Sequence, residues 1–436
     1  MFVARLLGHA SVLCYTQSTV IICDPWLKNT HLDGLVRRFP DPGPLEFNFP
    51  KPHALLFSHH HWDHIHIPSL LEMDRNTPVY FPNNPQLIQI FDRLGFNNQF
   101  QVEHWQAFDV GNIRIWPTAS HVPFGECGFY MESEGHGILN LVDSVFEPLD
   151  IQRINQIADG RMRVCLAPYQ SYDEMGILLG QSNSANRHAL CVQNAQILKN
   201  LECELMIPFA DGLYYPGNRF MNQQGFFSTP FDFIDCLYAE APDKKAMVSM
   251  PLDELILHQA KVQVKRTLAL PIEEILNLYE DVRSFEGSVV SDYLDLVPEE
   301  EPWLKETWEQ CFEEYFLKGM SRFPKEYLHE FQRLGARFDL RIESGYQGYQ
   351  FDFTLGVVAK LDKTKPGNAG LKIRASDLMK LLNSQTLLNI LMQSDSIRLS
   401  GETKELAYRA LDMLAANGFL DQDRISDYIG NYEAMG

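Results

Sequence analysis

The sequence lacks the patterns that several classes of protein require. Its eight cysteines are scattered, without a Cys-x-x-Cys or a Cys-x-His pair, so we expect no zinc ribbon and no iron–sulfur cluster held by this chain. No stretch of about eighteen apolar residues is present, and we expect no membrane span. Acidic residues outnumber basic ones by 57 to 37. The net charge of −20, without a basic block, argues against binding of nucleic acid.

Length and composition predict a folded chain of more than one domain. The 436 residues exceed one average domain. Strand-like and helix-like segments alternate over residues 1–235, as is typical of a layered α/β domain. Residues 236–335 look helical and strongly charged and predict a helical connector or cap, and residues 336–436 predict a small C-terminal α/β domain. No signal sequence is evident, so we expect a cytoplasmic protein.

Histidine is concentrated in one short segment, LLFSHHHWDHIHIPSL, at residues 55–70. The pattern His59-x-His61-x-Asp63-His64 follows a predicted strand. Imidazole and carboxylate are ligands of first-row metals, and a loop that leaves a strand can direct several of them at one point. The spacing predicts two metals, with His59 and His61 on the first and Asp63 and His64 on the second.

Two metals need further ligands downstream of this segment. His121 follows the predicted strand NIRIWPTAS, and Asp143 follows the predicted strand GILNLV, where a carboxylate could bridge two cations. Each residue also has an ordinary role, since a lone histidine is often half-buried and an aspartate at a strand end often forms a turn. The neighbouring histidine motif favours metal binding for both.

The motif SHHHWDH resembles the S/T-H-x-H-x-D-H signature of the metallo-β-lactamase superfamily. The N-terminal segment LLGHASVLCYTQSTVIICDPWL resembles the opening of its ascorbate-phosphate lactonase and N-acyl-phosphatidylethanolamine phospholipase branch. The resemblance covers residues 1–235 and implies an αββα sandwich with the site at one edge. The ligands it implies are His59, His61 and His121 on the first metal, Asp63 and His64 on the second, and Asp143 between them. Asp24 would brace the histidine loop, and His60 and His66 match no ligand position.

One ligand of that superfamily has no evident counterpart here. Many members bind the second metal through a further histidine near the end of the domain, but the histidine after His188 is His258, in the charged region. Asp211, in the segment MIPFADGLYYPGNRFMN, could replace it, or water could. His188 lies in a predicted helix, where a core or surface role competes with a catalytic one.

A narrower resemblance involves two distant segments. IPFADGLYYPGNRFMN and LKIRASDLMKLLNSQTLLNILMQSDSIRLSG are similar to stretches of the CMP-N-acetylneuraminate hydroxylases. Those enzymes carry a Rieske cluster, whose Cys and His pairs are missing here, so oxygen activation by this chain would need a separate reductase as electron donor. The C-terminal segment also resembles a sterol-carrier-like module, which would cap the pocket or pair subunits into a homo-oligomer.

Two reactions fit such a site. The first, which we favour, is an oxygen-dependent hydroxylation of a small molecule at a diiron centre, since mixed histidine and carboxylate ligation with open positions suits iron. The second is hydrolysis of a phosphodiester, lactone or amide with zinc, manganese or iron, in which Asp63 orients a water and His9 or His188 steadies the oxyanion. A non-catalytic sensor is a third class, disfavoured because structural zinc sites are closed and four-coordinate.

The substrate leaves little trace in the sequence. No P-loop and no G-x-G-x-x-G fingerprint accompanies the histidine segment. Tyr169, Tyr172 and Tyr214 are candidates to line a pocket, although packing is the more frequent role of tyrosine. Arg187 could meet an anionic group of a substrate, or could simply lie on an exposed helix face.

Overall fold

The computed structural model describes residues 1–28, 36–41, 51–122, 124–169, 179, 184–210, 212–214, 228–259, 261–268, 270–283, 323, 325–343, 345–382, 397–414 and 429–430. The chain divides into two compact units. The first comprises Met1–Tyr172 and Ser184–Phe285, and the second comprises Asp173–Asn183 and Glu286–Gly436. Each unit has its own buried core.

The first unit contains two large sheets and the helices that cover them. Its strands are β1 Phe2–Gly8, β2 Ser11–Tyr15, β3 Val20–Cys23, β4 Arg37–Arg38, β5 Ala54–Leu56, β6 Val79–Pro82, β7 Gln99–Val102, β8 Phe108–Val110, β9 Ile113–Pro117, β10 Phe129–Ser133, β11 His136–Asn140, β12 Met162–Pro168, β13 Leu205–Phe209, β14 Leu213–Tyr214, β15 Glu254–His258 and β16 Lys261–Lys265. Its helices are α1 Ile67–Leu70, α2 Pro85–Leu94, α3 Pro148–Ala158, α4 Ser184–Leu198, α5 Pro230–Glu240 and α6 Ile272–Arg283.

The two sheets share one apolar core. The first has the strand order β16-β15-β1-β2-β3-β5-β6-β7, and the second has the order β13-β12-β11-β10-β9-β8. Alternate residues of β1, such as Phe2, Ala4 and Leu6, pack in one buried cluster with Ile138 of β11 and Val164 of β12. This alternation is that of strands with one face turned to a core, and it joins the sheets face to face.

Helices cover the outer face of each sheet. Ile151 and Ile154 of α3 and Leu198 of α4 pack in a second buried cluster with residues of the second sheet. On the other side, Phe91 of α2 contacts Phe57 with ring centroids 4.7 Å apart. The first unit is therefore an αββα sandwich, and the fold class expected from the sequence is confirmed.

Parallel pairing places the ends of two strands at one edge. Strand β3 pairs in parallel with β5, and Cys23 lies opposite Leu56. Because parallel strands end on the same side of a sheet, Asp24 and the segment that begins at Phe57 leave that sheet together. This geometry brings the histidine segment next to the first residues after β3.

The charged region after residue 235 differs from its prediction. Residues 254–265 were expected to be helical, but they form the antiparallel strands β15 and β16, and β15 pairs with β1. Buried Leu255 and Leu257 alternate with less buried neighbours, and this period of two is that of a strand. The helical prediction for this stretch was wrong. The compact units also do not follow the expected three-part division, because residues through Phe285 belong to the first unit.

The second unit is built on a five-stranded sheet. Its strands are β17 Arg337–Ile342, β18 Tyr349–Asp352, β19 Val357–Lys360, β20 Ala369–Ile373 and β21 Ile397–Gly401, in the order β19-β18-β17-β20-β21. Its helices are α7 Lys325–Arg333, α8 Ala375–Leu382 and α9 Lys404–Leu414. Its core is rich in aromatic rings, including Phe331, Phe338 and Phe353. The likeness to a sterol-carrier module stays a prediction. Among the helices described in either unit, none is long and apolar enough to cross a membrane.

Candidate metal centre

Three of the clustered histidines face one another in the loop between β5 and α1. His59 and His64 are fully buried, and their ring centroids lie 4.1 Å apart. The ring of His61 lies 4.5 Å from that of His59, edge to face. The loop therefore converges its imidazoles on one region, as the motif predicted.

Asp143 reaches the same region from the turn after β11. Its Oδ2 lies 3.0 Å from Nε2 of His64 and 3.9 Å from Nε2 of His59. The donor atoms of these three residues lie within 4.8 Å of one another. Two imidazoles and one carboxylate at these distances can bind a single first-row cation.

A second group of donors lies beside the first. Nε2 of His9, in the turn between β1 and β2, lies 3.2 Å from Oδ2 of Asp63. The same oxygen lies 3.6 Å from Nε2 of His64, and the donor atoms of the three residues again lie within 4.8 Å of one another. The two groups share Nε2 of His64, since its Nδ1 is taken by Asp24, and one imidazole nitrogen binds one cation. The groups therefore mark two adjacent positions, of which only one can hold His64.

A buried carboxylate fixes the ring of His64. Nδ1 of His64 donates to Oδ2 of Asp24 over 2.9 Å. Asp24 also accepts hydrogen bonds from the backbone N–H of Ser58 at 2.9 Å and from its hydroxyl at 2.7 Å. A histidine that donates through one ring nitrogen to a carboxylate presents the other nitrogen to a metal. The expected bracing role of Asp24 is thus seen in the geometry.

The buried histidines and aspartates of the two donor groups shift one another's pKa values. Burial lowers the pKa of His64, but Asp143 and Asp63 more than offset it and hold that pKa well above its ordinary value. Burial would raise the pKa of Asp63, but His64 and His9 keep it well below its usual range. Burial, together with His64 and His61, lowers the pKa of His59. His59 is therefore neutral, the form in which imidazole binds metals.

A second buried carboxylate, Glu126, was missed in the sequence. Its Oε2 lies 3.7 Å from Nδ1 of His59, and its Oε1 accepts a hydrogen bond of 2.6 Å from the hydroxyl of Ser120. Burial, and then the charge of Asp143, raises the pKa of Glu126 to about 7. The signal in the sequence is a single acidic residue within the uncharged stretch VPFGECGFYM.

His121 lies apart from these groups. Its Nε2 donates to Oδ2 of Asp150 over 2.8 Å, and 42% of its side chain is exposed. Asp150 also accepts the backbone N–H of Glu147 at the start of α3, in a capping box. The structure therefore places the predicted ligand at the N-terminus of a helix, and neither donor group includes it.

The other candidates occupy varied positions. His188 is exposed on α4, and neither group of donors includes it. Asp211 and Tyr172 lie outside the described residues, as does the side chain of Arg187. His60 lies 2.9 Å from the amide of Asn84 through Nδ1.

A pocket opens beside His9. Its cavity volume is about 30 Å³, and its lining is mostly apolar and aromatic. Residues that line it include His9, Phe39, Tyr169, Phe209, Met250 and Tyr279. Tyr169 is thus both buried and part of this wall, whereas half-buried Tyr214 contacts the ring of Phe39 at 5.8 Å. Apolar walls with a few polar groups are typical of small-molecule sites.

The donors present fit metal ions. Nε2 of His59, both ring nitrogens of His9 and Oδ1 of Asp143 are buried without a hydrogen-bond partner among the described residues. Buried polar atoms are normally satisfied, and an ion at each position would satisfy Nε2 of His59 and one ring nitrogen of His9. Each group combines two imidazoles with one carboxylate, a set that suits iron, zinc or manganese.

Residues 19–209 match the family model described as a beta-lactamase superfamily domain. A Mycolicibacterium smegmatis protein, provisionally named as a Rieske 2Fe-2S iron-sulfur protein, is 26% identical over 156 residues, which are 33% of this chain and 30% of that protein. The chain therefore spans less than a third of the length of this curated relative.

Among solved structures, CmlA, a diiron beta-hydroxylase from Streptomyces venezuelae, is similar with a TM-score of 0.41 and 17% identity, covering 61% of this chain and 54% of CmlA. Igni18, a metallo hydrolase from Ignicoccus hospitalis, has a TM-score of 0.40 and 16% identity, covering 59% of this chain and 98% of Igni18. These two similarities do not distinguish hydroxylation from hydrolysis.

Proposed function

Because residues 19–209 form a domain of the metallo-β-lactamase fold, we propose that this chain is a dinuclear-metal enzyme that hydroxylates a small molecule with oxygen, using iron at both positions. The observation that carries the proposal is the pair of adjacent donor groups that share His64. Together the groups offer the imidazoles of His9, His59 and His64 and the carboxylates of Asp63 and Asp143. Mixed histidine and carboxylate ligation with open positions is typical of non-haem iron oxygenases.

The proposed ligands combine residues of the two groups with those that the sequence motif implies. Those of the first metal are His59, His61, His121 and Asp143, and those of the second are Asp63, His64 and Asp143, with Asp211 as a further candidate. His121 would have to leave Asp150, which its Nε2 now contacts. The bridging role falls to Asp143 because its Oδ2 lies 3.0 Å from Nε2 of His64 and 3.9 Å from Nε2 of His59.

The relative from Mycolicibacterium smegmatis supports oxidative chemistry. Its name refers to a Rieske cluster, which is an electron carrier, and this chain has no Cys-x-His pair to hold one. Electrons for oxygen reduction would therefore come from a separate reductase. The substrate and this redox partner belong to the proposal, since the chain matches only part of that relative.

The residues of the chain prepare the site. When bound, the two ions would supply the redox chemistry that activation of oxygen needs. Asp24 and Ser58 hold the ring of His64, and Glu126 lies against the far side of His59. Such outer contacts fix the orientation and tautomer of metal-binding histidines. The pocket beside His9 has mostly apolar walls and is the candidate entry for the substrate, for which it would have to widen, since about 30 Å³ is the volume of one water.

A second candidate function is hydrolysis of a phosphodiester, lactone or amide with zinc or manganese. The observation that favours it is the position of Asp63, whose side chain is 17% exposed and lies 3.2 Å from Nε2 of His9. There Asp63 could orient an attacking water, and His9 could steady the developing negative charge. The exposed His188 was the other candidate for that last role.

Metal analysis tests the choice. The full chain would be expressed with iron supplied, and its iron, zinc and manganese contents would be measured beside its absorption under reductant and then oxygen. We expect about two irons per chain, as a dinuclear site requires, and an absorption band that changes with the redox state. Zinc at both positions, with turnover of a phosphodiester or lactone and no response to oxygen, would reverse the order of the two candidates.

A further inference from the structure

We infer that His9 is the nitrogen ligand that completes the second metal position, in place of the late histidine that this sequence lacks. The inference rests on the proposed dinuclear site and gives His9 a role different from the steadying of substrate charge. Its ring comes from the opposite end of the domain, in the turn between β1 and β2. The imidazole ligand that other members supply from the end of the domain would here come from His9, near its beginning.

The geometry places His9 against two residues assigned to the second metal. Its Nε2 lies 3.2 Å from Oδ2 of Asp63, and its ring centroid lies 5.2 Å from that of His64. The donor atoms of the three residues fall within 4.8 Å of one another. This spacing allows the three donors to share one cation.

The ring of His9 has polar atoms to satisfy. Its side chain is 3% exposed, and within the described part of the chain neither ring nitrogen has a partner with hydrogen-bond geometry. Nε2 thus approaches Oδ2 of Asp63 at 3.2 Å without the alignment of a hydrogen bond. A buried imidazole in this situation is costly unless a cation or another partner accepts its lone pair.

The backbone holds His9 in an uncommon conformation. Its φ is +48° and follows a φ of +100° at Gly8, and non-glycine residues adopt the left-handed region only where the surroundings enforce it. Arg38 donates to the carbonyl oxygens of Leu7 at 3.1 Å and Trp26 at 2.8 Å. These hydrogen bonds fix the backbone on one side of the turn. The backbone conformation, and not only the side-chain rotamer, therefore directs the ring of His9 toward Asp63.

A second role must be separated from ligation, because His9 could instead orient Asp63 from outside the metal site. Loss of such an outer contact alone weakens metal binding about 10–100-fold, so a weaker metal in a His9 variant would not decide the matter. A readout of the bond between residue 9 and the metal is needed. Cobalt(II) provides it, since a thiolate bound to cobalt gives a charge-transfer band in the near ultraviolet.

The test is the His9→Cys variant of the full chain, titrated with cobalt(II) beside the wild type and a His60→Cys control. Wild type sets the background of the eight native cysteines. We expect a new thiolate band in His9→Cys that saturates with the second equivalent of cobalt, and none in His60→Cys. Two bound cobalt ions in His9→Cys without a new band would overturn the inference.

A conservative variant covers the case in which His9→Cys does not fold. In cobalt-loaded wild type, each bound imidazole that keeps a ring N–H gives one strongly shifted exchangeable proton resonance. We expect His9→Gln to lose one such resonance, and retention of all of them would overturn the inference. Wild type that binds fewer than two ions would defeat the proposed function as well, whereas two ions with oxygen-dependent turnover and no His9 signature would defeat this inference alone.

Discussion

Asp24 and His64 lie 40 positions apart in the sequence, yet Oδ2 of Asp24 lies 2.9 Å from Nδ1 of His64. Both residues are buried. They meet because β3 and β5 run parallel and adjacent, and each residue follows the end of its strand. The contact fixes the imidazole of His64 at the edge of the sheet, where its Nε2 lies 3.0 Å from Oδ2 of Asp143.

The Asp24→Asn variant tests this contact between Asp24 and His64. Asparagine tolerates the left-handed backbone at φ +41°, so the change removes charge with little strain. Because hydrogen bonds to a charged group contribute about 1.5–3 kcal/mol, we expect a loss of stability of that size. We also expect metal affinity to fall about 10–100-fold, as for other outer contacts. Urea unfolding and metal titration measure the two effects.

The matched control for Asp24→Asn is Ser58→Ala. It removes the hydroxyl that donates to Asp24 over 2.7 Å and that also lies 2.9 Å from Nδ1 of His59 and 3.3 Å from Nδ1 of His64, but it keeps the bond between Asp24 and His64. We expect a smaller loss in both measurements. Metal affinity in Asp24→Asn equal to that of the wild type would show that Asp24 serves only the fold.

Asp143→Ala tests the proposed bridge. Asp143 is the carboxylate that faces both His59 and His64, so its loss should remove one ion and weaken the other. We expect at most about one metal per chain after dialysis, since a shared ligand supports both positions. Asp109→Ala is the control, because that carboxylate is 61% exposed on β8, the edge strand of the second sheet, and belongs to neither donor group. Retention of two ions and full turnover in Asp143→Ala would refute the bridging role.

The sequence predicted those residues of the site that lie close together in the chain or directly after a strand. A motif of four residues follows a strand within six positions, namely His59, His61, Asp63 and His64. The structure brings the rings of its three histidines together. Asp143 follows a strand that could be recognised by its apolar run. In both cases the position at a strand end fixes where the side chain lies, because sheet edges gather such residues.

The rest depended on contacts between distant residues. Glu126 belongs to no recognisable sequence motif. It is a candidate for the site only because its Oε2 lies 3.7 Å from Nδ1 of His59 in the folded chain. The membership of His9 in a donor group depends on a turn held by Arg38. Residues 254–265 were predicted helical because of their charge, but pairing with β1 selects the strand, an example of tertiary contacts overriding local preference.

His121 and Asp150 allow the predicted ligand role to be tested by a pair of variants. If His121 binds the first metal, His121→Ala should lower the affinity of one ion more than tenfold, because an imidazole donor is lost. Asp150→Ala removes the carboxylate that caps Glu147 at the start of α3. It should cost about 0.5–2 kcal/mol of stability, as other N-terminal caps do, and leave the metal content unchanged. Equal behaviour of the two variants, with metal retained in both, would assign His121 to the helix cap alone.

The buried cysteines predict a pH-dependent pattern of labelling. Burial raises the pKa of Cys14 to about 12 and also raises the pKa of Cys23 and Cys127 in the same core. The thiolate is the reactive form, and its fraction grows with pH. At pH 8 it would be on the order of 10⁻⁴ for Cys14, by the ordinary titration relation. Alkylation of these three thiols should therefore be negligible in the native protein from pH 7 to 9 and should require unfolding.

Cys236 is the internal comparison for that experiment. It is only partly buried, and its pKa is raised less, mainly by burial, so its labelling by iodoacetamide should be faster and should increase between pH 7 and 9. Peptide mass spectrometry with and without urea measures each site separately. Native labelling of Cys14 at the rate of Cys236 would mean that the core between the two sheets opens readily. The same experiment establishes whether the native thiols stay silent when a cysteine is placed at position 9.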